Sequence, residues 1–186
     1  MTMSQPAEVS SQLCLACGLC CDGTLFADVE LQPADSAERL GALGQKLRRG
    51  KDSAGNSVQK FAQPCPALGP DCRCALYAER PARCREFDCA VLRSVQAGAL
   101  TPDAALRRIR HARKQRDAVR RALSALGNEE VARPLSQRFQ RTKRALEAGD
   151  VPDGRTWEEA AEAFGELTLA VSALQFTLSR EFYPDS

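Results

Sequence analysis

The sequence predicts a mainly α protein: a small, loop-rich cysteine module, stabilised by metal, packed against a C-terminal bundle of about three helices. Three observations predict it. All nine cysteines of the 186-residue chain fall between positions 14 and 89. Beyond position 100 the apolar residues recur at three- and four-residue steps over long stretches, the period of a helix with one buried face. Between the two cysteine groups, residues 41–64 mix Gly, Ser, Asn and charge, which reads as loop.

The divisions follow from these shifts in composition: a disordered N-terminus at 1–9, a cysteine-rich metal-binding module at 10–95 and a helical region at 96–186. Residues 14–21, "CLACGLCC", open the module with thiols turned inward by a tight loop. "VELQPADSAERLGAL" then offers a short helix, with Asp35 or Ser36 as N-cap and Leu40 and Leu43 on one face. The loop at 41–64 contains a hairpin ending in "SVQKF".

Three helices are predicted at about 101–126, 129–148 and 156–182. Thr101 caps the first, Pro102 takes its first helical position and Gly127 closes it. The second runs from Asn128 with Val131, Leu135, Phe139 and Leu146 on a stripe, and Pro134 in its first turns. Thr156 and Glu159 form a capping box for the third. Its stripe of Trp157, Ala161, Phe164, Leu167, Val171, Leu174 and Leu178 is expected in the core.

The thiols carry the chemistry. In a reducing compartment, closely spaced cysteines are metal ligands or catalytic thiols more often than disulfides. The start of the chain has neither a basic n-region nor an apolar h-region, and no apolar run is long enough to span a bilayer. A cytoplasmic setting with no membrane contact is therefore expected. Cys14, Cys17 and Cys20 repeat the C-x2-C-x2-C spacing of ferredoxins, in which a cysteine followed by proline completes the set, and Cys65 precedes Pro66. That spacing favours iron, held as an iron-sulfur cluster. Zn2+ is the alternative, since eight thiolates fill two tetrahedral sites without histidine. Softness does not separate the two metals.

Four motifs in order, CLACGLCC at 14–21, CPAL at 65–68, CALY at 74–77 and RPARCREFDC at 80–89, resemble the YkgJ-type cysteine cluster family, the CxxCxxCC or zinc- or iron-chelating domain. The resemblance implies chelation by Cys14, Cys17, Cys20, Cys21, Cys65, Cys74, Cys84 and Cys89. Tyr77, Arg80 and Pro81 are further motif positions, and Arg80 and Arg85 would shield thiolate charge. Cys72 has no counterpart in the pattern and is expected to be a spare thiol whose loss changes neither metal nor fold. Helices beyond residue 100 lie outside the motifs.

Charge is distributed unevenly: the balance is 0 over residues 1–100, +8 over 101–147 and −6 over 148–186. The run "RRIRHARKQRDAVRR" invites a nucleic-acid reading. No aromatic interleaves it and no recognition signature accompanies it, so nucleic acid is not favoured; the wet face of an amphipathic helix, screened by the acidic "WEEAAEAFGE", is. A catalytic thiol at Cys21 or Cys72 would need a base, and the single histidine, His111, sits in that basic run. Two classes follow. The first is a metal- or cluster-binding protein serving redox, sensing, metal handling or partner assembly, with a protein partner taken by the helical region. The second is a metalloenzyme modifying a protein side chain, or a zinc-stabilised interaction or nucleic-acid-binding module.

Overall fold

The computed structural model describes residues 6–152 and 154–183. Part of the expected disordered start, residues 1–5, lies outside them, whereas from Pro6 the chain is helical. The chain divides into two compact units. One runs up to Asp88 and includes residues 132–134; the other holds Cys89–Val131 and the residues from Leu135 onward. Among the described residues there are seven α-helices and one three-stranded sheet, the mainly α class expected.

The first unit begins with α1 (Pro6–Cys17). Gly18, at φ +69°, turns the chain out of it with its amide on the Cys14 carbonyl at 3.2 Å, the left-handed exit that glycine makes at little cost. The expected all-loop path of the first cysteines is thus corrected: Cys14 and Cys17 occupy the last helical turn, and only Cys20 and Cys21 are in the loop.

Strands β1 (Asp28–Glu30), β2 (Leu47–Lys51) and β3 (Ser57–Ala62) form an antiparallel sheet in the order β1-β3-β2. The β2–β3 hairpin is the one expected from "SVQKF"; Asp52 closes it by accepting the amides of Ala54 and Asn56 at 2.9 and 2.7 Å. The third strand, β1, was too short to show period-2 alternation and pairs through Val29 opposite Phe61.

Alternation along the sheet turns Val29 and Phe61 to one face, where they meet Leu31 and the Leu40 side chain of α2 (Ala37–Ala42). Cys65 and Cys84 are packed against this small core. Ser36 caps α2 by accepting the Arg39 amide at 3.1 Å. Asp35, the other expected cap, serves elsewhere: its two carboxylate oxygens accept the amides of Gln32 and Ala82, both at 2.8 Å. Asp35 thereby fixes the start of α3 (Ala82–Glu86), the helix that carries Cys84.

The second unit comprises α4 (Ala90–Gln96), α5 (Pro102–Ala125), α6 (Leu135–Glu147) and α7 (Trp157–Glu181). Thr101 accepts the Ala104 amide, Pro102 opens α5, and Thr156 and Glu159 make the reciprocal capping box of α7. On α5 the buried residues are Ala105, Ile109, Ala112, Arg116, Val119 and Leu123, alternating steps of four and three; on α7, Ala160, Leu167 and Leu174 repeat every seven. Both patterns give the narrow seam of coiled-coil packing.

Three expectations fail here. Of the stripe expected on α7, Leu167, Leu174 and Leu178 are buried, but Trp157 is 52% exposed because it precedes the first buried seam position, Ala160, and Ala161 is exposed beside it. The second helix starts at Leu135, not near Asn128, since Pro134 would remove an amide from its interior. Val131, left in the preceding turn, is 66% exposed. One ion pair between the basic and acidic segments joins Arg108 to Glu181 at 3.9 Å, at the far end of α7 from "WEEAAEAFGE".

Candidate metal centre

The candidate centre lies in the first unit and is assembled from three segments: the first cysteine loop, the 65–75 hairpin and α3. β3 leads through Gln63, whose amide bonds to the Ala27 carbonyl at 3.0 Å, to Cys65, whose amide bonds to the Cys21 carbonyl at 2.7 Å. This extends the strand pairing past the end of the sheet and locks the first cysteine loop to the second cysteine group. Cys21 is held from the other side by its own amide on the Gly18 carbonyl at 3.0 Å.

Residues 65–75 then fold back on themselves. Ala75 donates to the Ala67 carbonyl at 2.8 Å, Gly69 to Arg73 at 2.8 Å, and Leu68 bridges Cys74. Cys65 and Cys74 therefore stand on opposite arms of one small hairpin. After the single 3₁₀ turn at Tyr77–Glu79, α3 presents Cys84.

These four thiols feel one another. Burial pushes Cys21 from 9.0 up to about 12, and the neighbouring Cys65, Cys84 and Cys74, then Asp22, add to the rise. Cys84 is pushed to about 11 by burial and then by Cys65 and Cys74, with Arg80 opposing. Cys65 is raised too, again by burial, against the amides of Ala67 and Leu68 and the side chain of Gln45. Buried thiols crowded together resist ionising on their own, because every thiolate is desolvated and repelled. A cation among them reverses that balance, since a coordinated thiol gives up its proton.

The donor set therefore suits a thiophilic metal. Among the described residues no three His, Cys, Asp or Glu side chains form a preformed group able to hold an ion.

The remaining sequence-predicted residues are placed as follows. Cys14 is exposed and Cys17 buried, on α1, and Cys20 is half-buried in the loop after it. Cys89 belongs to the second unit, where it precedes α4. Tyr77 is exposed, its hydroxyl 3.3 Å from Ser11. Arg80 lies over the Tyr77 ring at 3.8 Å, donates through Nε to the Tyr77 carbonyl, and lends positive charge to Cys84. Arg85 donates to the Arg80 carbonyl at 2.7 Å. That partner is backbone rather than sulfur.

Two contributors have no signal in the sequence. Gln45, 5% exposed, donates through Nε2 to the Cys65 sulfur at 3.5 Å; a single glutamine in a Gly- and Lys-containing loop gives no hint of this. Asp35 reaches α3 across 47 positions, beyond any local pattern.

A unit that collects half-buried thiols from three segments, with an amide aimed at one sulfur, has the make-up of a cysteine-based metal-chelating module. Residues 13–117 match the CxxCxxCC family, described as "Putative zinc- or iron-chelating domain". That match spans more than half of the chain, and the chain belongs to this family. No curated protein and no solved structure matches it. Among the described residues no helix is long and apolar enough to cross a membrane.

Proposed function

We propose that this chain is a metal-binding protein that takes zinc or iron through Cys21, Cys65, Cys74 and Cys84. One observation carries the reading: the Cys65 amide on the Cys21 carbonyl joins the two cysteine groups inside a half-buried set of four mutually interacting thiols. Four thiolates satisfy a tetrahedral zinc or iron site, or one iron-sulfur cluster. The partition bears on the ferredoxin analogy, since it draws Cys65, the cysteine before proline, into the set with Cys21 and away from Cys14, Cys17 and Cys20. Four sulfur ligands also leave no open position for a substrate, which favours binding, sensing or structural metal over a metalloenzyme.

Arg80 and Gln45 complete the reading, one by offsetting negative charge beside Cys84, the other by donating to the sulfur of Cys65. The test is Co2+ uptake by reduced protein, followed through the sulfur-to-metal absorption and ligand-field bands of tetrahedral thiolate cobalt. Cys84→Ser is expected to remove a large part of this signal. Full retention by Cys84→Ser, or absence of any signal in the parent chain, overturns the assignment.

A further inference from the structure

Helix α7 carries a second apolar stripe, and this one faces solvent. Leu169 and Phe176 are 74% and 61% exposed. Each stands two positions beyond a buried seam residue, Leu167 or Leu174, and two steps of about 100° turn a side chain to the opposite side of a helix. Over residues 167–179, "LTLAVSALQFTLS", there is no charged side chain, although Thr168, Ser172, Ala173, Gln175 and Ser179 are exposed there too. The exposed positions of α5, by contrast, include Arg107, Arg108, Arg110, Lys114 and Arg121. A helix that is buried on one side and apolar and uncharged on the other is built for two neighbours.

The stripe complements itself. Gly165 and Ser172 stand four residues before Leu169 and Phe176, so that small and large side chains alternate along one face. A β-carbon on Gly165 would have nothing within 4 Å. Alanine would thus fit the single chain and strengthen the helix, whereas glycine leaves room for close approach from outside. Laid antiparallel on its own copy, about a two-fold axis near Ala170 and Val171, the stripe closes: Phe176 of each copy meets Gly165 of the other, and Leu169 meets Ser172. The same register brings the exposed Arg180 beside the exposed Glu162 of the other copy. It also keeps the two acidic starts, with Glu158, Glu159, Glu162 and Glu166, at opposite ends. A parallel pair would instead set Phe176 on Phe176, glycine on glycine and acid on acid. We propose that α7 pairs antiparallel with α7 of a second copy of this chain, through Gly165, Leu169, Ser172 and Phe176, to form a two-fold dimer. One helix pair about 35 Å long gives a contact at the low end of interface sizes, so the dimer should form in the micromolar range.

The test is analytical ultracentrifugation of the full chain from about 1 to 200 µM, under reducing conditions so that no disulfide links the copies. The mass should rise from one chain to two across that range. Phe176→Glu should weaken pairing by at least about 30-fold with the helical CD unchanged. Gly165→Gln separates pairing from helix propensity: it should raise the Tm of the dilute single chain while weakening association by about 10-fold. Arg180→Glu should weaken pairing, and Glu162→Arg added to it should restore it. Hydroxyl-radical footprinting of the parent chain needs no variant, and should show Leu169 and Phe176 protected at the high concentration only. A single-chain mass at every concentration overturns the proposal, as does a dimer that survives Phe176→Glu and Gly165→Gln or leaves Phe176 unprotected. Failure of the charge exchange to restore pairing overturns the antiparallel register. None of these residues belongs to the metal centre, so each of these results leaves the metal-binding reading standing.

Discussion

The Gln45 amide and the Cys65 sulfur form the interaction in which a single side chain is most directly aimed at the candidate centre. A buried N–H donated to sulfur favours the thiolate over the thiol, and supporting donors of this kind are commonly worth 10- to 100-fold in metal affinity. Gln45→Leu, which keeps the volume and removes the donor, should weaken zinc binding by about 10-fold with little change in the number of ions bound. Competition with a chromogenic chelator measures this; unchanged affinity would show the contact to be packing alone. A second residue-level expectation concerns pH. In the metal-free fold Cys21 and Cys84 hold their protons up to about 12 and about 11, from 9.0. Their folded pKa values lie above the unfolded ones, so their contribution to stability is complete below about pH 9 and is lost as pH rises toward 12. The Tm of metal-free, reduced protein should fall across that window; a flat or rising Tm between pH 9 and 11 contradicts the buried thiol group. The cysteines themselves stood out as candidate donors from their spacing. Which sulfur joins which set was not, because that depends on the Cys21–Cys65 backbone bond and on Asp35 reaching α3, contacts between positions 44 and 47 residues apart in the chain.

At the scale of the element, local signals marked the helix starts well. Thr101 with Pro102, and Thr156 with Glu159, act at their own helix ends and so can be read from four adjacent residues. The start of α6 at Leu135 was misplaced although Pro134 is a local stop signal, and the turn before it is held by contacts that are not local. Asn128, 9% exposed, holds the turn before it: its side-chain amide donates to the Thr142 hydroxyl at 3.0 Å, and its Oδ1 accepts Nε of Arg138 at 2.9 Å. Arg138 is buried and also donates to the Asn128 carbonyl. Burial, followed by the nearby Arg120, lowers its pKa. A buried guanidinium needs these acceptors, and none replaces Oδ1 once it is gone. Asn128→Ala should therefore cost about 2–4 kcal/mol, more than a surface substitution by several-fold. Urea denaturation followed by helical CD checks it, and a loss below about 0.5 kcal/mol would mean that water takes over the role of Asn128. The heptad spacing of α5 and α7 was visible as periodicity, but Trp157 was misjudged because its apolar character outweighed its place ahead of the first seam position.

At the scale of the molecule, the two units differ in what holds them together. The second has a helical seam of Ala, Ile, Val and Leu that supports itself by packing. The first has a small core of Val29, Leu31, Leu40 and Phe61 with Cys65 and Cys84 at its border. A metal bound to this unit would add its binding free energy to the stability of the fold. The mainly α class, the cysteine-rich start and the helical end were all readable from the distribution of cysteines and apolar periodicity. The division at Asp88, which sets Cys89 with the second unit, was not, since composition changes only gradually there. The measurement that tests the account most directly is the metal content of protein purified without oxygen, by elemental analysis together with its absorption spectrum. The account predicts zinc or iron bound in stoichiometric amount and lost on Cys84→Ser; iron with sulfide and a broad visible band would identify a cluster, and zinc without colour a closed tetrahedral site. A reduced, folded chain that carries neither metal and takes up neither on addition would contradict it.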